Sequence, residues 1–461
     1  MESLVRFQCR PLFSKDSILA NRILCFLQRC VWCRNYFGIG NFESDLIGGQ
    51  IQVGKYLAGY FSHIYQPRAK YGHFLATLLM SGIAFGLYRG VQDNYLAQIV
   101  HITEFERGIV EFFRELPGLL VVLILAAMHR MSASKVFKIG TAIMLAGIVG
   151  LTIVGTGKVE VVLFMVVFSL GEHMIMPVKN NITMDLAKKE SGGMALGISS
   201  SITQLGSIVG LVIVTGLFAL FSRVAGIYDA VVPFKLILAV SAAFMVGAVL
   251  ISLSLQESKQ NLVPKRFYFA KKFNKYYMLE VFYGARKQVF ITFAPYALIV
   301  YYGADTSLIA MLLAICAICD AIASPFLGKL IDKLGYKVIM VSDTLILVVV
   351  CFFYGFSHRI FPAHIAFIVV CVNYLLDSII SLASMASTVY VRDIADGPEE
   401  VVATLSTGVS VNHVISIFIA LVGGWIWARV GIEVLFSISA VLGIMNSIYA
   451  ATIKPIRSSS E

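Results

Sequence analysis

Charge is what this sequence has least of. Asp, Glu, Lys and Arg make up 14% of its 461 residues, while 58% are hydrophobic. A soluble domain carries about 25% charged residues, so this chain has too little polar surface to cover a water-exposed fold. Its mean hydropathy of +0.82 agrees, and it reads as a polytopic membrane protein. Also missing are a P-loop-type nucleotide cradle, an H-E-x-x-H and a G-x-S-x-G. An ATP-driven pump or a common hydrolase therefore lacks its parts, and no catalytic residue or cofactor is assigned. No secretory signal is expected either. The first seventy residues are basic and broken by charges, with no apolar run ending in a small-residue cleavage site.

The eight cysteines give no disulfide framework. Cys9, Cys25, Cys30 and Cys33 fall in a segment expected in the cytoplasm, where thiols stay reduced, and Cys316, Cys319, Cys351 and Cys371 fall within apolar runs. Both C-x-x-C pairs have zinc-like or redox-like spacing. Cys316 and Cys319 sit inside an apolar helix, however, and Cys30 and Cys33 have no clear second ligand pair, so no metal site is assigned. The net charge of +10 does not indicate nucleic-acid binding, because the basic residues gather in loops on one face and in the N-terminal segment.

From Tyr71 onward there is room for about twelve spans of roughly 20 residues. The first six are expected at Gly72 to Val100, Gly108 to Met128, Ile139 to Gly155, Val159 to Asn181, Gly193 to Phe221 and Val231 to Leu255. The other six start near Tyr276, Thr306, Val338, Pro362, Val401 and Gly431. This divides the chain into a basic N-terminal extension (1–71), a six-helix bundle (72–255), a cytoplasmic linker (256–275), a second six-helix bundle (276–453) and a tail (454–461). Within the extension, Ile18 to Cys33 is interrupted by Asn21, Arg22, Gln28 and Arg29. It reads as a basic helix on the inner leaflet, or as translated sequence upstream of a later start. With the linker inside, Arg130, Lys135, Lys138, Lys188, Lys189, Lys329, Lys333, Lys337, Arg392, Lys454 and Arg457 are inside as well. The opposite loops keep Arg107, Lys158, Arg223, Arg359 and Arg429, so both termini are expected in the cytoplasm and the protein in the plasma membrane.

One connection is distinctive: Gly328-Lys-Leu-Ile-Asp332-Lys333-Leu-Gly335-Tyr-Lys337 lies between two apolar runs. It reads as a tight basic hairpin. Gly328 would allow close helix approach, Gly335 a left-handed turn, and Asp332 a helix cap or an ion pair, while Lys333 and Lys337 hold the loop inside. This pattern resembles the signature loop of the major facilitator superfamily of secondary transporters. The resemblance covers about Gly72 to Ile453 and implies an all-α fold of twelve transmembrane helices in two pseudo-symmetric bundles. It also implies that the third, sixth, ninth and twelfth spans form a lipid-facing scaffold while the other eight line a central cavity. Superfamily members commonly pair the loop aspartate with an arginine at the end of the fourth span of its half. Here that implies Asp332 with Arg392 and, reversed in the first half, Arg130 with Asp185.

Ionisable groups inside a bilayer are costly, so their distribution is informative. They fall at Arg89 and Asp93, four residues apart and able to pair, at Glu172 and His173, and at Arg286 and Lys287. Others are Asp320, Asn373 and Asp377, and Asn412 with His413. Glu111, Arg114 and Glu115 look like an outward gate network. The third, sixth, ninth and twelfth spans are nearly free of such groups; Lys138, Lys235, Asp343 and Glu433 lie near their ends, where side chains can snorkel.

Arg89, Arg286 and Lys287 suit a carboxylate or phosphate, and Glu172, Asp320, Asp377, His173 or His413 a proton or cation. The alternative is that these charges neutralise one another and hold the bundle together. The leading expectation is a monomeric secondary transporter for a small anionic or zwitterionic solute. It would work by alternating access, be coupled to a proton or another cation, and have no partners beyond substrate and membrane lipids, nucleic acid included. A lipid or lipid-linked translocator of the same fold and a membrane-embedded sensor or enzyme are the alternatives.

Overall fold

The computed structural model describes residues 61–66, 71–128, 130–188, 191–224, 229–255 and 268–453. Most of the 1–71 extension, the linker as far as residue 267, Lys189 and the 454–461 tail lie outside the described residues. The described chain is helical apart from an isolated bridge between Tyr65 and Ala187. That bridge ties residues expected to belong to the extension onto the end of the fourth span.

The first bundle comprises α1 (Tyr71–Asn94, prolonged by a π-helical turn Tyr95–Ile99), α2 (Glu104–Ala127), α3 (Ala133–Ile153), α4 (Lys158–Leu186), α5 (Gly192–Phe221) and α6 (Val231–Leu253). The second comprises α7 (Asn274–Tyr302), α8 (Thr306–Leu334), α9 (Tyr336–Ile360), α10 (Ala363–Ile394, with a 3-10 turn at Leu382–Ser384), α11 (Pro398–Arg429) and α12 (Ile432–Ala451). Ten of these are long and apolar enough to cross a membrane. The two that fall short are α2, which carries the densest charge, and α7, which lines both of the cavities described below.

Helix ends follow local chemistry. Thr103 and Glu106 form a reciprocal capping box at the start of α2, and Asp305 accepts a hydrogen bond from the Leu308 N–H at the start of α8. Gly335 has φ +83° and by itself separates α8 from α9. The expected left-handed turn is therefore present, but the hairpin around it is shorter than its sequence suggested. Gly328 to Leu334 are the last two turns of α8, because nothing in that stretch breaks a helix. Asp332 sits in that final turn and caps no helix start, and Gly328 has no atom within 4 Å of where a Cβ would be. The close approach expected at Gly328 is absent.

Each bundle has its own core. Leu87, Ile148, Phe168, Val214 and Ile237 belong to the first, and Phe293, Tyr296, Leu347, Tyr354 and Phe436 to the second. Lys138 donates to the carbonyls of Leu253 and Leu255, and Lys235 to those of Leu151 and Val154, so these scaffold lysines satisfy helix ends of their own bundle. Within the first bundle, Gly82 and Gly86 of α1 meet Gly206 and Ser207 of α5 with no room for a side chain.

The bundles meet chiefly along α2 with α11 and α5 with α8. The tightest points lie at the end of the molecule where α1 stops and α2 starts. There Gly108 faces the Ala420 carbonyl and Gly424, and Asn94 donates to the Ala304 carbonyl at 2.9 Å. Tyr296 donates to the Ile102 carbonyl, and Ser307 to that of Thr215 at 3.0 Å. These contacts between bundles close that end of the molecule.

The α1–α5 crossing can be tested directly. A Cβ at Gly86 would lie 2.1 Å from the Ser207 carbonyl oxygen, a backbone atom that cannot swing aside. Gly86→Ala should lower the thermal unfolding midpoint in detergent, reflecting an overpacking cost of about 1–3 kcal/mol. Gly197→Ala, which meets nothing within 4 Å, should leave the midpoint unchanged or slightly raised. Equal midpoints would contradict the packing described.

Candidate functional site

Two adjoining cavities, of about 300 and 220 Å³, lie between the bundles. The larger is lined by residues of α1, α5, α7, α8 and α10, the smaller by residues of α1, α2, α4, α7 and α11. Phe85, Arg89, Lys287 and Ile291 line both. None of α3, α6, α9 and α12 contributes to either wall. The division of labour implied by the charge distribution is the one these walls have.

Arg89, Arg286, Lys287, Asp320 and Asp377 all line the larger cavity, with Tyr283, Gln204 and Ser378 among the polar neighbours. Arg286 is buried and bound to Asp343 of α9 at 3.2 Å. Asp343 therefore does not snorkel at a helix end, as expected from its position. It is 9% exposed and neutralises a base that was expected to face substrate. Asp320 accepts hydrogen bonds from Ser378 on both carboxylate oxygens, at 2.9 and 2.8 Å. Lys287 lies 6.0 Å above the Tyr283 ring. Among the described residues, Arg89 and Lys287 have no carboxylate within ion-pair distance, nor do Asp320 and Asp377 have a base. Asn373 is buried on α10, and Glu172 lines the smaller cavity with His173, Asn412 and His413.

Asp93 does not pair with Arg89. It turns to Arg107, the fully buried first member of a chain of charges running along α2. Arg107 binds Asp93 at 3.1 Å and Glu111 at 3.0 Å; Arg114 binds Glu111 at 2.6 Å and also holds Glu115. Glu115 then accepts from His413 Nδ1 of α11 at 2.9 Å, and Gln288 of α7 donates to Glu111 at 3.0 Å. Signs alternate along the run, so each buried charge has an opposite neighbour and the desolvation cost is offset. Glu111, Arg114 and Glu115 were expected to associate; Arg107 was counted as an outer loop base. The signal that could have found it is its spacing, four residues before Glu111 on one helix face.

His173 donates from Nδ1 to the Ser169 carbonyl at 2.8 Å, leaving Nε2 facing the second cavity. Asn412 donates to Glu280 at 3.3 Å, and Ser387 to the same carboxylate at 3.4 Å. Glu280, half-buried in the second turn of α7, is a further acid between helices; its closeness in sequence to the basic linker hides it from a reading by span position.

The charged residues around the connecting loops do not form the pairs the resemblance implied. Asp332, Lys333 and Gly335 are exposed, and Lys337 is half-buried at the start of α9. Arg392 is 68% exposed and its carboxylate neighbour is Asp393 at 3.4 Å, in place of Asp332. Arg130 is exposed and forms no ion pair with Asp185 among the described residues. Because α8 continues to Leu334, Asp332 is carried onto a solvated face. Also at this end, Lys272 pairs with Asp396 and with Glu400, both at 2.7 Å. Hydrogen bonding to Asp396 and then Glu400 holds the Lys272 ammonium above the usual lysine range.

A family model described as Major Facilitator Superfamily matches residues 74–274 and 276–460. No curated protein matches at the level of sequence. Among solved structures, a mutant form of the nucleoside transporter NupG superposes with TM-score 0.65 at 15% identity, covering 83% of this chain and 99% of that one. A D-xylose–proton symporter gives TM-score 0.65 at 13% identity, covering 83% and 96%. A POT family transporter in complex with 5-aminolevulinic acid gives 0.64 at 10% identity, covering 82% and 94%. These likenesses concern the fold.

The Arg286–Asp343 pair makes a prediction. Removing one partner of a buried pair leaves an uncompensated charge and costs about 3–5 kcal/mol, whereas replacing both by apolar groups is often neutral. Asp343→Leu alone should lower the thermal midpoint strongly, and Asp343→Leu with Arg286→Met should recover most of the loss. A double variant no better than the single one would remove the pairing argument.

Proposed function

The chain belongs to the Major Facilitator Superfamily, and from that premise we propose that it is a secondary active transporter for a small anionic or zwitterionic solute. The observation that carries this reading is the composition of the larger cavity. Arg89 and Lys287 face it without a carboxylate partner among the described residues, and Asp320 and Asp377 share the wall. Two cations at the edge of a desolvated site suit a carboxylate or phosphate, and the two acids provide protonatable groups for coupling. A volume of about 300 Å³ suits a small metabolite. That a sugar–proton symporter and a 5-aminolevulinic acid-bound transporter share the fold supports the same class of activity.

Arg286, first expected to bind substrate, is here a structural residue that fixes α7 against α9. Alternating access between the two bundles, taken as 72–255 and 276–453 about a 256–275 linker, completes the mechanism. The excess of lysine and arginine on the loops opposite the sealed end supports a cytoplasmic opening and cytoplasmic termini, in a plasma-membrane monomer. In this state the sealed end then faces outward.

A metabolite panel screened by thermal shift should first identify the ligand. Arg89→Gln and Lys287→Gln should each lower uptake into proteoliposomes by about 10- to 100-fold, the value of a hydrogen bond to a charged group, without changing the amount of folded protein. Asp377→Asn should abolish accumulation driven by a pH gradient while leaving substrate exchange. Full transport by the Arg89→Gln, Lys287→Gln double variant would overturn the proposal.

A further inference from the structure

We propose that Glu115, His173 and His413 form a binding site for a divalent transition-metal ion, of the zinc class, that ties the two bundles together. Each offers one ligand atom, and these atoms lie within 4.8 Å of one another. A tetrahedral site with bonds of 2.0–2.1 Å has edges of roughly 3.3 Å, so modest side-chain rotation closes the set. His413 Nδ1 and the Glu115 carboxylate are already 2.9 Å apart, and a bound cation would displace the proton between them, with the imidazole proton then on Nε2.

The surroundings of the three residues suit a ligand. The Nδ1–H of His173 is committed to the Ser169 carbonyl at 2.8 Å, which fixes the ring and leaves Nε2 as a lone pair. Gly118 makes the space: a Cβ there would stand 2.7 Å from His173 Nε2 and 3.0 Å from His413 Nδ1. All three residues line the smaller cavity, so an ion can enter and keep a water or solute as its remaining ligand. Two imidazoles and one carboxylate favour zinc, nickel or copper over magnesium or calcium, which need oxygen ligands.

Glu115 and His173 lie on α2 and α4, and His413 on α11, so a bound ion bridges the bundles and holds the sealed state. Metal binding stands on this geometry alone; only its action as a brake rests on the carrier reading. The purified full chain, loaded with Zn²⁺ and desalted, should retain one zinc per protein and unfold at a higher temperature, with no shift from Mg²⁺. His173→Ala and His413→Gln should each weaken zinc binding by about 100-fold or more, beyond what loss of an outer partner usually costs. His364→Ala, an exposed histidine on α10, serves as the control and should bind as the unmodified chain does. A wild-type chain that retains no zinc, or retention undiminished in both His173→Ala and His413→Gln, overturns the site without touching the transport proposal.

Discussion

An ionised side chain at the middle of a membrane helix costs about 3 kcal/mol by insertion scales, and this chain places many of them there. The remedies are an opposite charge within reach, a neutral hydrogen-bonding neighbour such as Ser378 beside Asp320, or water. The charges on α1 and α2 take the first, as Asp93, Arg107, Glu111, Arg114 and Glu115 link in alternating sign. Arg286 and Asp343 do the same across α7 and α9. Arg89, Glu172, Lys287, Asp320 and Asp377 instead line the cavities, where there is room for water or a solute to reach them. A fully packed interior would strand these five, so the cavity is a condition of the fold as much as a feature of its function.

The same constraint shapes the boundary between the bundles. At the sealed end they meet through glycines and backbone carbonyls, Gly108 against Ala420 and Asn94 against Ala304, where no side-chain charge has to separate. Halfway down, the bundles are joined by Gln288 to Glu111 and His413 to Glu115. Those contacts carry charge or strong dipoles, and water can replace them when they part. Packing between the bundles is thus tight and neutral at one end and made of hydrogen bonds that water can replace further in.

Much of this was legible in the sequence, because the cost of buried charge acts on residue type before any packing is known. Eight spans carry polar groups and four nearly lack them, and the cavity walls follow that division. Partner choice was not legible. Arg89 and Asp93 stand one helical turn apart, yet Asp93 prefers a base from the next helix, which burial makes the stronger partner. Asp343 and Arg107 were misjudged for the same reason: distance from a span's centre along the sequence does not measure depth when helices run long. The loop signature showed where a turn lies and not how much chain it uses. Gly335 alone suffices, and the residues before it stay helical.

The arrangement also explains why α7, too polar for an ordinary span, sits at the centre. Arg286, Lys287 and Gln288 are consecutive, so their side chains leave the helix about 100° apart. The first binds Asp343 on the scaffold helix α9, the second reaches the wall shared by both cavities, and the third holds Glu111 in the charge chain of the opposite bundle. Scaffold, cavity wall and bundle interface are thereby fastened to a single turn of helix. Any tilt of the second bundle that breaks Gln288 from Glu111 also moves Lys287, because the two share a backbone anchored by Arg286. The physical link between what occupies the cavity and which state the bundles adopt needs no longer path than those three residues.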